Sequence, residues 1–195
     1  MNPLAPFRRL KTFIFDVDGV MTDSSVHILE DGKLLRRMNV RDGYALKVAV
    51  QRGFRVAVIT GGKSEGVVTR LRNLGVTDIY AGVRDKVDAL EELVEIHQLD
   101  LDHTLYMGDD IPDFDVMRRV GLPACPRNAA HEILEIARYV SPYDGGAGCV
   151  RDVIEKALRL QNKWLPESLA QWEADWEKRV NKTYFGSEEE EPYRE

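Results

Sequence analysis

Short runs of β-branched and aromatic residues alternate along the chain with stretches of helical periodicity. Thr12–Asp16 (TFIFD), Arg55–Thr60 (RVAVIT), Asp78–Tyr80 and Thr104–Met107 (TLYM) read as strands. Asp42 is the expected N-cap of a helix over Tyr44–Arg52, ended by Gly53. Ser64 is the expected N-cap of a helix running to Leu74, with Val67, Leu71 and Leu74 on one face and Gly75 just past its end. Lys86–His97 places Val87, Leu90 and Val94 at helical spacing. This alternation predicts an α/β fold, a parallel sheet with helices on both faces. In such sheets the ligand site lies at the carboxyl ends of the strands.

One stretch breaks the pattern. Ser25–Leu29 and Lys33–Met38 flank Glu30-Asp31-Gly32, and Asp-Gly between two strand-like runs predicts a β-hairpin directly after the first strand. Gly19 to Arg41 holds only this hairpin, and Thr60 to Lys86 only one helix and one short strand, so neither gap has room for a separate cap domain. Towards the C-terminus, Asn162–Asn181 carries Trp164, Trp172 and Trp176 in a charged helical pattern. That segment is either a helix docked on the core or an oligomer contact. Glu188–Glu191 is an acidic run expected to be a solvated tail. The expected division is a domain over 1–161 and a Trp-containing helical extension with an acidic tail over 162–195.

Composition narrows the classes. A chain of 195 residues, 44% hydrophobic and 31% charged, fits a single soluble domain with one sizeable core. No apolar run approaches the ~18–20 residues that cross a bilayer. Met1 to Lys11 lacks an apolar stretch ending in a small-residue cleavage site, so no secretory signal and a cytoplasmic location are expected. A net charge of −6 argues against nucleic-acid binding as the main activity. The cysteines, Cys125 and Cys149, form no C-x-x-C and exclude a disulfide framework and a structural zinc site. His27, His97, His103 and His131 show no paired spacing.

The residues with chemical potential gather where strands hand over to loops. Asp16-Val17-Asp18-Gly19 ends the first strand, and unpaired carboxylates there repel unless a cation joins them. Thr60 ends another strand and is followed by Gly61-Gly62, a hydroxyl and free N–H groups suited to phosphate oxygens. Lys86 opens a helix after a short strand. Gly108-Asp109-Asp110-Ile111-Pro112-Asp113 follows the last strong strand. Taken singly, each has a plainer reading. Asp18 and Asp42 are possible caps, Thr60 a backbone partner, Lys86 a solvated lysine, and Asp109 with Asp110 an exposed turn. Taken together they form one chemistry: carboxylates for a hard divalent cation, and a lysine and hydroxyl for phosphate.

In order and spacing these segments resemble the motifs of the haloacid-dehalogenase-like phosphatases. Phe15 to Asp23 matches the first motif, Ile59-Thr60-Gly61-Gly62 the second, Lys86 the third and Gly108–Asp113 the fourth, over Thr12 to about Lys156. Within that superfamily the chain is most similar to the 3-deoxy-D-manno-octulosonate 8-phosphate phosphatases. The hairpin, Asn39-Val40-Arg41-Asp42-Gly43-Tyr44, Tyr80-Ala81-Gly82 and Gly145-Gly146-x-Gly148 carry this likeness. The resemblance implies a Rossmann-like, capless α/β fold and a Mg²⁺-dependent phosphatase acting on an eight-carbon sugar acid of lipopolysaccharide synthesis. It makes Asp16 the nucleophile and Asp18 the acid/base. Asp16, the Asp18 carbonyl and Asp109 would be the metal ligands, supported by Asp110 and Asp113. Thr60 and Lys86 would hold the transferring phosphoryl group. Asn39, Val40, Arg41, Asp42, Gly43, Lys47, Gly61, Arg70 and Lys86 match substrate-binding positions. Gly62 stands where the family often has a basic residue, and Lys47 where arginine is common.

The resemblance also implies a homotetramer in which neighbours cover each capless site, with the hairpin and Gly145–Gly148 as the intruding segments. Asp18 must be protonated for the first step, so surroundings that favour the neutral acid are expected. A related branch acting on nine-carbon sialic-type sugar phosphates is the alternative substrate class. Readings from other classes are weaker. Ala57–Ser64 loosely fits a P-loop, but Ala57–Ile59 are strand residues and leave no loop to wrap a triphosphate. A receiver domain has no use for a general acid beside its phospho-aspartate. A catalytically dead scaffold has no reason to keep Asp16, Asp18, Thr60, Lys86 and Asp109.

Overall fold

The computed structural model describes residues 4–165. A short 3₁₀ turn at Pro6–Arg9 leads into β1 (Thr12–Phe15). A small hairpin follows, β2 (His27–Ile28) and β3 (Leu34–Leu35), and then α1 (Val40–Gln51), β4 (Arg55–Thr60), α2 (Glu65–Asn73), β5 (Asp78–Ala81) and α3 (Lys86–His97). The second half runs β6 (Thr104–Met107), α4 (Phe114–Met117), β7 (Leu122–Cys125), α5 (His131–Ile136), β8 (Tyr139–Val140) and α6 (Cys149–Leu160). The main sheet has the order β5-β4-β1-β6-β7-β8, and each neighbouring pair is parallel. The expected α/β architecture is present. β7, β8 and α4 to α6 extend it beyond the elements read from the sequence.

Side-chain alternation divides the sheet between two cores. Phe13, Phe15, Val56, Val58, Leu105 and Met107 face a layer built from α1, α2 and α6. Ile14, Ala57, Ile59 and Tyr106 face α3, α4 and α5. β1 is wholly buried because strands pair with it on both edges and helices cover both faces. That position carries whatever follows Phe15 into the middle of the sheet's carboxyl edge. Asp16 N still donates to Met107 O at 3.0 Å, so the first acid sits on the last rung of the ladder.

Two helix starts show how tertiary contacts select among local signals. α1 begins at Val40 and is capped by Asn39, whose Oδ1 accepts from Arg41 N at 2.8 Å. The expected cap, Asp42, lies inside the helix. Its carboxylate turns inward and accepts from Arg151 N at 2.8 Å, serving the start of α6, where Gly148 offers no side-chain cap. α2 starts as expected, with Ser64 Oγ accepting from Val67 N, and Gly75 follows its end with φ +90°.

The hairpin is narrower than the sequence pattern. Only His27–Ile28 and Leu34–Leu35 pair, with Ile28 opposite Leu34 and His27 opposite Leu35. No helix among the described residues is long and apolar enough to cross a membrane. Trp164 packs on the domain, edge-on to Tyr44 at 6.2 Å and under the Arg151 guanidinium at 5.2 Å. Trp172, Trp176 and Glu188–Glu191 lie outside the described residues.

Candidate active site

The end of β1, the loop and turn after β6 and the first residue of α3 deliver four charged side chains to one place. Lys86 Nζ lies 2.7 Å from Asp113 Oδ1 and 3.0 Å from Asp16 Oδ1. One carboxylate oxygen from each of Asp16, Asp109 and Asp113 falls within 4.8 Å of the others. Asp113 is held from several sides: Tyr106 OH donates to Oδ1 at 2.6 Å, and Asp109 N donates to Oδ2 at 3.2 Å. Tyr106 went unread in the sequence, where nothing in TLYM marks a tyrosine as part of a polar network.

Glycine makes the cluster possible. A Cβ on Gly19, which has φ +92°, would sit 1.8 Å from Asp109 Oδ2. A Cβ on Gly108 would sit 2.4 Å from Asp113 Cγ. The backbone therefore closes directly on the acids, at a distance no larger residue permits.

Burial and mutual repulsion set the electrostatics. Burial, with Asp113 beside it, raises Asp16 to about 6 against the pull of Lys86. Burial, with Asp16, Asp113 and Asp110 nearby, raises Asp109 to about 7. Burial opposes the Lys86 ammonium, but Asp16 and Asp113 outweigh it and raise its pKa. Burial and the adjoining Asp113 put the Tyr106 hydroxyl well above its usual range.

This donor set fits a hard divalent cation. Asp16 Oδ1 is buried and meets only the Lys86 ammonium, at 3.0 Å, so it keeps acceptor capacity, and carboxylate oxygens are the ligands Mg²⁺ prefers. Asp113 is committed to Lys86, Tyr106 and Asp109 N, which leaves Asp16 and Asp109 with the greater spare acceptor capacity. The Asp18 carboxylate is outside the cluster. Arg36 from the hairpin's second arm grips it, Nε to Oδ1 at 2.7 Å and NH2 to Oδ2 at 3.0 Å. A guanidinium thus stands where surroundings favouring the neutral acid were expected. Arg36 carries no motif signal; only the fold-back of the hairpin reveals it.

The remaining candidates separate into groups. Thr60 is buried, and its Oγ1 accepts from Gly62 N at 3.1 Å, with the Asp18–Arg36 pair alongside. Arg70 lies over Gly43, since a Cβ there would sit 2.9 Å from Arg70 NH2. Gly61 and Lys47 are exposed. Asn39, Val40 and Arg41 line a groove with Tyr143 and Arg151, and Asn39 Nδ2 donates to Gly146 O at 3.2 Å. Asp42 faces the interior, where burial raises it to about 6. Asp110 is exposed and caps the turn at Ile111–Asp113 by accepting from Ile111 N. Gly145 and Gly146 pack on the chain's own loop after β1, with Gly146 N donating to Val20 O at 2.9 Å. Of the two segments expected to reach a neighbour, the hairpin is exposed throughout its strands, whereas Gly145 is buried and Ala147 exposed. The stretch Ala57–Ser64 is strand through Thr60, and α2 is capped at Ser64, so no phosphate-wrapping loop forms.

Comparison with known proteins points the same way. Residues 72–151 match the family model for haloacid dehalogenase-like hydrolases. The chain is 36% identical to the 3-deoxy-D-manno-octulosonate 8-phosphate phosphatase of Escherichia coli K12, over 82% of this chain and 85% of that protein. It is 37% identical to the Yersinia pestis enzyme of the same name, over 79% and 82%. Among solved structures, the Yersinia pestis phosphatase superposes with a TM-score of 0.80 at 35% identity, covering 83% of this chain and 87% of that one. The Moraxella catarrhalis phosphatase in complex with magnesium ion, phosphate ion and a KDO molecule gives 0.81 at 30% identity, over 89% and 97%.

Proposed function

The chain belongs to the 3-deoxy-D-manno-octulosonate 8-phosphate phosphatase family of the haloacid dehalogenase-like hydrolases, and we propose from that footing how its own residues carry the reaction. It is a Mg²⁺-dependent phosphatase that releases the free eight-carbon sugar acid and phosphate. The observation that carries this reading is the convergence of Asp16, Asp109, Asp113 and Lys86 at the carboxyl ends of the central strands.

Asp16 is the nucleophile. Its carboxylate oxygen bonds to phosphorus as the bond from phosphorus to the sugar oxygen breaks, giving an aspartyl-phosphate. Asp18 gives its proton to the leaving sugar oxygen. In the second half-reaction Asp18 takes a proton from the water that attacks phosphorus, and Asp16 is released. The Thr60 hydroxyl, itself held by the Gly62 N–H, and the N–H of Gly61 receive phosphoryl oxygens, and Lys86 balances their charge. Asp16 and Asp109, with Asp113 behind them and the Asp18 carbonyl beside them, would hold Mg²⁺. The bound ion supplies positive charge that lets carboxylate and phosphate approach and steadies the equatorial oxygens.

Asn39 to Gly43, Lys47 and Arg70 form the sugar-binding positions of this reading. Asp42 acts among them indirectly, by fixing the start of α6. A homotetramer completes the capless site. The support is the hairpin, where Ile28 is 74% and Leu35 51% exposed. The division at 161/162 and a cytoplasmic location complete the proposal. Phosphate release from a panel of sugar phosphates, including eight- and nine-carbon keto-sugar acids, tests the reading. Turnover led by the eight-carbon acid supports it, and preference for a nine-carbon acid would reassign the substrate.

A further inference from the structure

Arg36 is an unusual residue to find on an exposed hairpin. Its neighbours Leu35 and Arg37 are open to solvent, yet its own side chain is only 7% exposed. Two of its nitrogens hold the two oxygens of Asp18, while NH1 is buried with no hydrogen-bond partner. A buried guanidinium donor left unpaired is costly, and it marks a place where an acceptor is missing. The pair also has little room around it. A Cβ on Gly62 would come within 3.0 Å of Asp18 Oδ2 and 3.2 Å of Arg36 NH2.

The grip conflicts with the chemistry assigned to Asp18. Each of its oxygens accepts one bond from Arg36, so the proton that Asp18 passes to a leaving sugar oxygen, or takes from an attacking water, has to share an oxygen with a guanidinium N–H. An arm of the fork that moves away frees that oxygen for the step. What draws it away must be an anion that suits a planar, bidentate donor, and a carboxylate does. Arg36 also lines an open groove of about 740 Å³ between the hairpin and α2. Lys33, Lys63 and Arg70 line that groove with a single acid, Glu65, on a chain whose net charge is −6.

We propose that Arg36 determines specificity by exchanging partners: it releases Asp18 when the carboxylate of a sugar-acid phosphate enters the groove and takes the guanidinium. This rests on the role given above to Asp18 and goes beyond it. A sugar phosphate without a carboxylate leaves the pair closed and turns over slowly for that reason, in addition to binding more weakly.

The test compares 3-deoxy-D-manno-octulosonate 8-phosphate with ribose 5-phosphate, which has a similar primary-alcohol leaving group and no carboxylate. In Arg36→Gln, kcat/KM for the sugar acid should fall about 10–100-fold, mainly through KM. For ribose 5-phosphate it should hold or rise, because Asp18 is no longer gripped. Arg36→Lys keeps the charge without the fork and should retain part of the sugar-acid preference. Circular dichroism establishes that the variants are folded. Equal losses on both substrates, or no loss on either, would overturn the exchange and leave Arg36 a structural residue. Calorimetry with the free sugar acid is independent of turnover. Binding to Arg36→Gln as tight as to the wild type would also overturn it. A wild-type protein that binds the sugar acid but hydrolyses neither phosphate would refute the catalytic reading instead.

Discussion

Lys86 and Asp113 form an ion pair that water barely reaches: Nζ to Oδ1 is 2.7 Å, and the side chains are 6% and 1% exposed. The same ammonium lies 3.0 Å from Asp16, so one cation balances the centre of the acidic cluster. Removing it strands buried negative charge, and breaking a buried pair from one side costs about 3–5 kcal/mol. Lys86→Met, which keeps the bulk of the stem, should lose stability on that scale in urea titrations of the metal-free protein. A loss below about 1 kcal/mol is what a solvated pair would give, and would contradict the burial of this one.

Three raised carboxylates shape the dependence on pH. Asp109 is raised to about 7, and Asp16 and Asp42 to about 6, from 3.8. Between those limits the folded chain binds more protons than the unfolded chain. Stability must therefore fall as pH rises through that window. The carboxylates held low, such as Asp23 and Asp144, are already charged there and do not offset the trend. In chelator, the melting temperature should be higher at about pH 5 than at about pH 8. Mg²⁺ should raise it more at the higher pH, where its ligands are ionised. A melting temperature that is flat across that range, with and without metal, would refute both expectations.

The strands that build the site were legible because β1 and β4 are continuous apolar runs ending in Asp and Thr, the pattern of strands buried on both faces. β7 was not, because Pro123 interrupts a short run and argues locally against a strand. The start of α1 was misplaced: Asp42 was the expected cap, but Asn39 caps the helix, and Asp42 instead serves Arg151, far along the chain. Asp16, Lys86 and Asp109 stood out because acids and a lysine at strand ends are costly without a purpose. Arg36 and Tyr106 did not, since neither residue type is unusual where it occurs. Their importance lies in Asp18 and Asp113, which only the folded chain brings beside them.

Asp16→Asn and Asp18→Asn should both be nearly inactive on the sugar-acid phosphate, for different reasons. The first removes the nucleophile, so no phospho-enzyme should be trapped on rapid acid quench. The second removes the proton donor, a loss of about 10²–10⁴-fold. Nitrophenyl phosphate needs little protonation of its leaving group, so Asp18→Asn should lose less on it. Equal losses on the alkyl and aryl esters would rule out the acid role.

The hairpin makes the last prediction. Only four residues pair, which is too little for a two-stranded ribbon to be stable alone in water. Its apolar side chains also face both ways. Ile28 and Leu34 are cross-strand partners on one face, and Leu35 lies opposite His27 on the other. All three leucine and isoleucine side chains are exposed, Ile28 by 74%. A surface of this kind, beside a site without its own cap, is accounted for if hairpins from several subunits pack together. Ile28→Lys with Leu34→Lys charges one face, and Leu35→Lys the other. Light scattering behind size-exclusion chromatography should show a tetramer for the wild type and smaller species for the variants. Turnover of the eight-carbon acid should fall far more than turnover of nitrophenyl phosphate, because only the large substrate needs a neighbour's wall. A wild-type monomer with full activity on the sugar acid would refute the shared site while leaving Asp16, Asp109 and Lys86 in their roles.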